Sequence, residues 1–373
     1  MAKVRCKQTN ADSFFGNFLY DQKVSRSHFL RKLDEVVNWE RFSRKLLGYY
    51  RGHGQIGQAP YNPIIMLKML LLSYLWNVSE RMVEELANDS LSIGLFLGLG
   101  ADRKAPDHST LTLFKNRLIE NAGLKAYEEL FNEIIRVAQE KGVKFGKLQV
   151  VDSVHLVADV NVEKDKQRQR DGKSPRDKDA SWGAKGDKMV TGKDGKRHKE
   201  TRYFYGYKDQ VSVNADTELV TSVIPGHAND YDGRKLKKLV EKDEGKGIKV
   251  GTVAGDKGYD DGENHYYLKE RGIDSAIRLN NYRTQKKDGN KEGWLRLQGS
   301  QAYVDGLKER YKVERKFGEA RKWHGYQRCR YVGFIRHAIQ SYFTFMALNL
   351  KRLVKLLTGI SFRGEDRAHV VGG

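Results

Sequence analysis

The period of the apolar residues changes near Lys147, and that change restricts the folds open to this chain more than any other feature of it. Before it, apolar residues recur every three or four positions, the helical period. After it comes LQVVDSVHLVADV, a Val- and Leu-rich run that reads as a strand. A chain that is helical first and alternates strands with helices later is a two-part molecule, not a bundle or an all-β sandwich.

In the first part, residues 25–38 carry Phe29, Leu30, Leu33, Val36 and Val37 at helical spacing. Asn62 is a cap and Pro63 a first helical residue for 64–76. That segment is apolar nearly all round and is expected at the centre of its domain. Ser79 is expected to cap a helix through Ala87, Asp107 or Ser109 one through Leu118, and residues 124–140 form another. In the second part, strands are expected at 203–214, 218–225, 249–255 and 273–279, with helices at 232–242, 262–271, 306–323 and 334–357. Residues 280–306 read as polar and irregular. Residues 163–200 hold 13 Lys or Arg, 8 Asp or Glu and almost no large aliphatics, so they read as a mobile loop. The expected fold class is mixed α and β. An all-helical domain at 1–145 precedes a mixed sheet flanked by helices, as in ribonuclease H-like folds, at 146–335. A C-terminal helix and tail follow at 336–373.

Sixty-eight Lys and Arg against 48 Asp and Glu give a net charge of +20, which points to a polyanionic partner, nucleic acid first. Two cysteines, Cys6 and Cys329, cannot form a disulfide framework or a Cys-rich zinc site, and a reducing compartment is expected. No run reaches the ~18 apolar residues of a membrane span, and the N-terminal stretch lacks the apolar centre of a secretory signal. No membrane partner and a cytoplasmic, nucleoid-associated location are therefore expected.

Two carboxylates stand out. Asp152 interrupts an apolar strand, where an unpaired charge is costly and must meet a partner, a metal or water. Asp256 follows Val253-Ala254-Gly255 at the end of another strand, where open α/β sheets place their sites. Further on, Arg310, Glu314, Phe317 and Arg321 share one helical face. Residues 280–336 carry 15 Lys or Arg against 6 Asp or Glu, interleaved with aromatics, which suits phosphate contact and base stacking. Two Asp and one Glu in a positive groove suit two-metal phosphoryl transfer, because hard carboxylate oxygens hold Mg²⁺. Several other features read as structural. Gly52–Gly57 matches G-x-G-x-x-G but lacks a preceding strand, so it reads as a link. His155 faces away from Asp152, and Met66, Met69 and Met82 read as core filler.

The stretches MLKMLLLSYLWNVSERMVEEL, PDHSTLTLFKNRL, VVDSVHLVADV, YGYKDQVSV, AGDKGYDD and RYKVERKFGEARKWHGYQRCRYVG, in that order, resemble bacterial insertion-sequence transposases of the DDE type, in the four/five-like superfamily. The resemblance spans residues 15–355. It implies that Asp152, Asp256 and Glu314 form the metal-binding triad. It also implies two Mg²⁺ ions, replaceable by Mn²⁺, and Arg310 on DNA phosphate. Where the broader family has a Lys seven positions after the Glu, this chain has Arg321 and then Lys322. Where the family has a Tyr three before the Arg, it has Leu307. Arg315, Lys316, Arg328 and Arg330, in the basic stretch, are further candidates for DNA contact. Lys115 and Arg117 are candidates in a helix-turn-helix-like segment. The implied partners are double-stranded DNA, as element ends and target, and a second copy in a synaptic homodimer. The implied activity is cleavage at terminal inverted repeats and transfer of the 3′-OH ends to target DNA. The alternatives are a ribonuclease H-like nuclease or resolvase that only hydrolyses, and an inactive DNA-binding descendant.

Overall fold

The structure is a computed structural model and describes residues 6–7, 14–49, 59–191, 195–285 and 289–362. The Gly52–Gly57 link lies outside them. The chain divides into two compact units. One comprises the residues up to Val143 together with those from Phe343 onward. The other runs from Lys144 to Tyr342.

Among the described residues the first unit contains α1 (Phe14–Lys23), α2 (Phe29–Val36), α3 (Trp39–Gly48), α4 (Pro63–Leu75), α5 (Glu80–Asp89), α6 (Leu91–Leu97), α7 (His108–Ala122) and α8 (Leu124–Glu140). The caps match the sequence reading. Asn62, Ser79 and Asp107 accept from the backbone N–H groups of Ile64, Met82 and Ser109. Helix α4 is buried at every position but Ile64. Its one charge, Lys68, is neutralised inside the bundle: Nζ lies 2.6 Å from Asp34 and 2.7 Å from the Phe96 carbonyl, above the Trp39 and Phe96 rings. Met66 and Met69 are core residues, but Met82 is not; it stands 40% exposed on the outer side of α5. Sequence spacing did not separate α3 and α6 as helices of their own.

The second unit is built on a sheet of β1 (Leu148–Val157), β2 (Ser181–Thr191), β3 (Arg197–Asn214), β4 (Val220–Ile224), β5 (Thr252–Gly255) and β6 (Asp274–Ile277). Its central order is β4-β3-β1-β5-β6. The β4-β3 and β3-β1 pairs are antiparallel, and the β1-β5 and β5-β6 pairs are parallel. That is the ribonuclease H-like mixed sheet expected. Strand β2 pairs only with the first half of β3. Around the sheet lie α9 (Val162–Arg170), α10 (Leu236–Glu244), α11 (Gly262–Glu270), α12 (Asn281–Thr284), α13 (Lys291–Gly299), α14 (Gln301–Lys308) and α15 (Tyr311–His324). Helix α16 (Phe334–Thr358) starts in this unit and ends in the other.

Three expectations need correction. Residues 163–200 are not a structureless loop: they hold most of α9, all of β2 and the start of β3. Polar anchors replace the missing aliphatics. Buried Asp177 accepts from the N–H groups of Asp179, Ala180 and Gly333 and from the Tyr207 hydroxyl, and buried Asp165 accepts from Arg176 N. The described part of 280–306 is largely helical rather than irregular. The helix expected over 306–323 is two helices, with Glu309 and Arg310 at the junction. Gly306 marks the reason for the first of them: a Cβ there would stand 2.4 Å from Ala276 Cβ, so α14 lies directly on β6.

Under the sheet, Asp209 is fully buried and accepts from His337 Nε2 at 2.7 Å and from the hydroxyls of Tyr326 and Ser341. The Tyr207 ring stacks on His337 at 4.3 Å. Removing the carboxylate strands the buried His337 Nε2 and leaves the Tyr326 and Ser341 hydroxyls only their contacts with each other and with the His337 carbonyl. We therefore expect Asp209→Ala to cost about 3–5 kcal/mol in urea unfolding, the range found for breaking a buried pair. A loss under 1 kcal/mol would show the network to be dispensable.

Candidate active site

The register of β1 against β5 sets the site. Leu148, Gln149 and Val150 lie beside Thr252, Val253 and Ala254. Two residues further on, Asp152 comes level with Asp256, and the two-residue alternation of strands puts both on one face. Asp152 is held by the Ser153 N–H at 2.8 Å. Asp256 caps the short turn Lys257–Tyr259, accepting from Gly258 N at 2.8 Å. The third carboxylate arrives on α15, which buries Val313, Phe317 and Ala320 and leaves Glu314 61% exposed.

Arg310, at the start of α15, ties the group together. One guanidinium nitrogen lies 3.9 Å from Asp152 Oδ2 and 3.6 Å from Glu314 Oε1. Its Nε is buried and makes no hydrogen bond. The Asp152 carboxyl is pushed up to about 7, first by burial and then by the Asp256 charge. The Ser153 N–H and Arg310 act in the opposite direction, and Glu314 adds to the rise.

The sequence reading missed a fourth carboxylate. Asp232 Oδ2 accepts from Ser153 Oγ at 3.3 Å, and Asp232 Oδ1 accepts from Gln210 Nε2 at 2.6 Å and lies 2.7 Å from Lys208 Nζ. A Cβ on Gly258 would meet Asp256 Oδ1 at 3.0 Å and Asp232 Oδ2 at 3.2 Å, so both carboxylates border the same small space. The Tyr259 hydroxyl donates to Gln210 Oε1. Burial, and then the charges of Asp152, Asp232 and Asp256, push its pKa well above the usual value. The pairing of Ser153 with Gln210 and of His155 with Lys208 across β1 and β3 was the signal available, but it needs the register. His155 does face away from Asp152. Its pKa falls to about 4, first through burial and then through Lys185, Arg321 and Lys208.

The other predicted residues divide. Lys322 is exposed beside the Trp323 ring and Arg321 is half-buried. Arg328 binds Asp159 and the Val160 carbonyl, each at 3.1 Å, and Arg315 pairs with Glu218. Arg330 and Arg117 are half-buried. Two candidates are turned inward. Lys316 is 5% exposed, between Glu218 and Glu319, because it shares the buried face of α15 with Val313 and Ala320. Lys115 is half-buried and held by Glu80.

The donor set fits a divalent cation of the hard kind. It consists of carboxylate oxygens, one of them on a buried carboxyl whose charge is unfavourable without a cation. In the helical unit, ligand atoms of Glu84, Asp107 and His108 lie within 4.8 Å of one another. Those three residues already satisfy one another: His108 Nδ1 is 2.6 Å from Glu84, and Asp107 caps α7. No helix among the described residues is long and apolar enough to cross a membrane.

Residues 18–117 match the family described as Transposase domain (DUF772), and residues 147–350, more than half of the chain, match the family described as Transposase DDE domain. Among solved structures the chain is similar to a piggyBac transposase in a synaptic complex with hairpin DNA. The identity is 10%, the alignment covers 94% of this chain and 83% of that one, and the TM-score is 0.33. With the mixed sheet and the converging carboxylates in place, the chain belongs to the Transposase DDE domain family and is a metal-dependent DNA transposase.

Proposed function

We propose that this transposase cleaves DNA at insertion-sequence terminal inverted repeats and joins the freed 3′-OH ends to target DNA. Asp152, Asp256 and Glu314 would hold two Mg²⁺ ions, or Mn²⁺ in their place. Asp152 carries the reading: its carboxyl is buried against Asp256 and pushed up to about 7, an arrangement that costs free energy unless a cation joins it. The ions, when bound, supply Lewis-acid stabilisation of the attacking and leaving oxygens.

The chain's own residues bind and orient. Asp152 lies midway along β1 and Asp256 just past the end of its parallel neighbour β5, each fixed by a backbone N–H, so their positions follow from the register. Glu314 is exposed and closes the group from the helix side. Arg310 sets its guanidinium between Asp152 and Glu314, where it offsets their charge and would face a phosphate brought to the carboxylates. Arg321 and Lys322 extend the positive surface along α15. Residues 1–145 would bind the element ends and assist dimerisation, and two copies would act together in the synaptic complex.

The test is strand transfer. A duplex ending in a recessed 3′-OH of the element end, a supercoiled target and Mg²⁺ or Mn²⁺ should give donor DNA covalently joined to target. Cleavage without joined product would make the protein a nuclease or resolvase, and neither activity would make it a DNA-binding descendant.

A further inference from the structure

Strand β2 and the first half of β3 form a two-stranded ribbon that the core sheet does not need. From Asp187 to Thr191 on one strand and from Arg197 to Tyr203 on the other, nearly every residue is exposed, on both faces. Two strands without a covering layer are marginal by themselves, so their exposed faces call for a partner. The register divides the side chains. Trp182 lies opposite Tyr205, Met189 opposite Lys199 and Thr191 opposite Arg197, so one face carries Arg197, Lys199, Met189, Tyr203 and Trp182. Trp182, Met189 and Tyr203 are 49%, 54% and 66% exposed. The acid on that face, Asp187, is engaged by Thr201. Residues 181–206 hold seven Lys or Arg against three Asp or Glu.

We propose that this ribbon is a DNA arm that lays its Arg197, Lys199 and Tyr203 face into the major groove of the bound duplex. The proposal rests on the chain acting on DNA. A major groove ~12 Å wide admits a two-stranded ribbon. The two cations meet phosphates, while the tyrosine and methionine supply apolar contact to base edges. Lys185, at the ribbon's bulge, acts on His155 together with Lys208 and Arg321, so positive charge continues from the ribbon to the strand that carries Asp152.

The test compares two variants of the full chain, with binding of a labelled 40-base-pair duplex followed by fluorescence anisotropy across a salt series. Arg197→Ser with Lys199→Ser should weaken binding roughly tenfold or more at 0.1 M salt, and should flatten the slope of log K against log salt by about 2. Lys188→Ser with Arg202→Ser removes the same charge from the opposite face and should have the smaller effect. Equal losses in the two variants would reduce the ribbon to diffuse charge and overturn the proposal. Wild-type affinity and slope in the first variant would also overturn it, and a change of mass in light scattering with DNA binding intact would assign the face to a second copy. If the wild type itself fails to bind duplex, the transposase reading fails with it.

Discussion

Asp152→Asn should abolish strand transfer while leaving DNA binding at least as tight as in the wild type. The substitution keeps the shape and the Ser153 N–H contact but removes the charge that a divalent cation requires. A cation contributes several kcal/mol to the transition state, so the joined product should fall by on the order of 10³-fold or more. Binding should not fall, because a negative charge disappears from the path of a polyanion. Asp256→Asn and Glu314→Gln should behave alike. Asp232→Asn separates the roles: Asp232 is already occupied by Lys208, Gln210 and Ser153, so its loss should reduce activity less than the triad substitutions do. Strand-transfer gels and anisotropy on the same preparations decide the matter. An Asp152→Asn protein that joins ends at the wild-type rate would remove Asp152 from the chemistry.

The same substitution should stabilise the metal-free protein at high pH. Asp152 titrates near 7 when folded and near 3.8 in an ordinary environment. The folded state therefore binds the extra proton between those values, and stability falls as pH rises through that window. Below about pH 4 the group is protonated in both states and adds nothing to the difference. Above pH 7 the full cost is present, roughly 4 kcal/mol as an upper figure from the size of the shift. Urea unfolding in EDTA at pH 5 and pH 8 reads this directly. The wild type should lose stability relative to Asp152→Asn over that interval, and Mn²⁺ at pH 8 should restore it in the wild type alone. Parallel behaviour of the two proteins would show that the carboxyl carries no such penalty.

Asp152 and Asp256 could be picked out because each interrupts or ends an apolar run, a pattern that survives without coordinates, and the β1–β5 register sets them side by side. Asp232 could not, because it sits in the mostly polar stretch HANDYDG with no apolar run to mark it, and its partners lie on two other strands. Lys316 could have been excluded from the DNA surface by phase alone: it stands three residues from Val313 and four from Ala320, on the face that α15 buries. The composition of 163–200 misled for a physical reason. Sparse aliphatics do preclude an apolar core, but Asp165 and Asp177 organise that segment through hydrogen bonds from its own backbone. Helix α14 was hidden in part because its decisive residue is Gly306, whose role is to let another element approach.

The discontinuity of the helical unit has a consequence for biosynthesis. Residues up to Val143 leave the ribosome first, yet their unit also uses the segment from Phe343 onward, where Phe343 stacks on Tyr74 at 5.2 Å. The nascent helices must therefore wait through the synthesis of some 200 intervening residues before their core can close. The sheet waits almost as long, since Asp209 meets His337 and Ser341 only when α16 emerges. A message truncated before that helix would release a polypeptide with both cores open, and so no folded fragment that could occupy element ends without joining them.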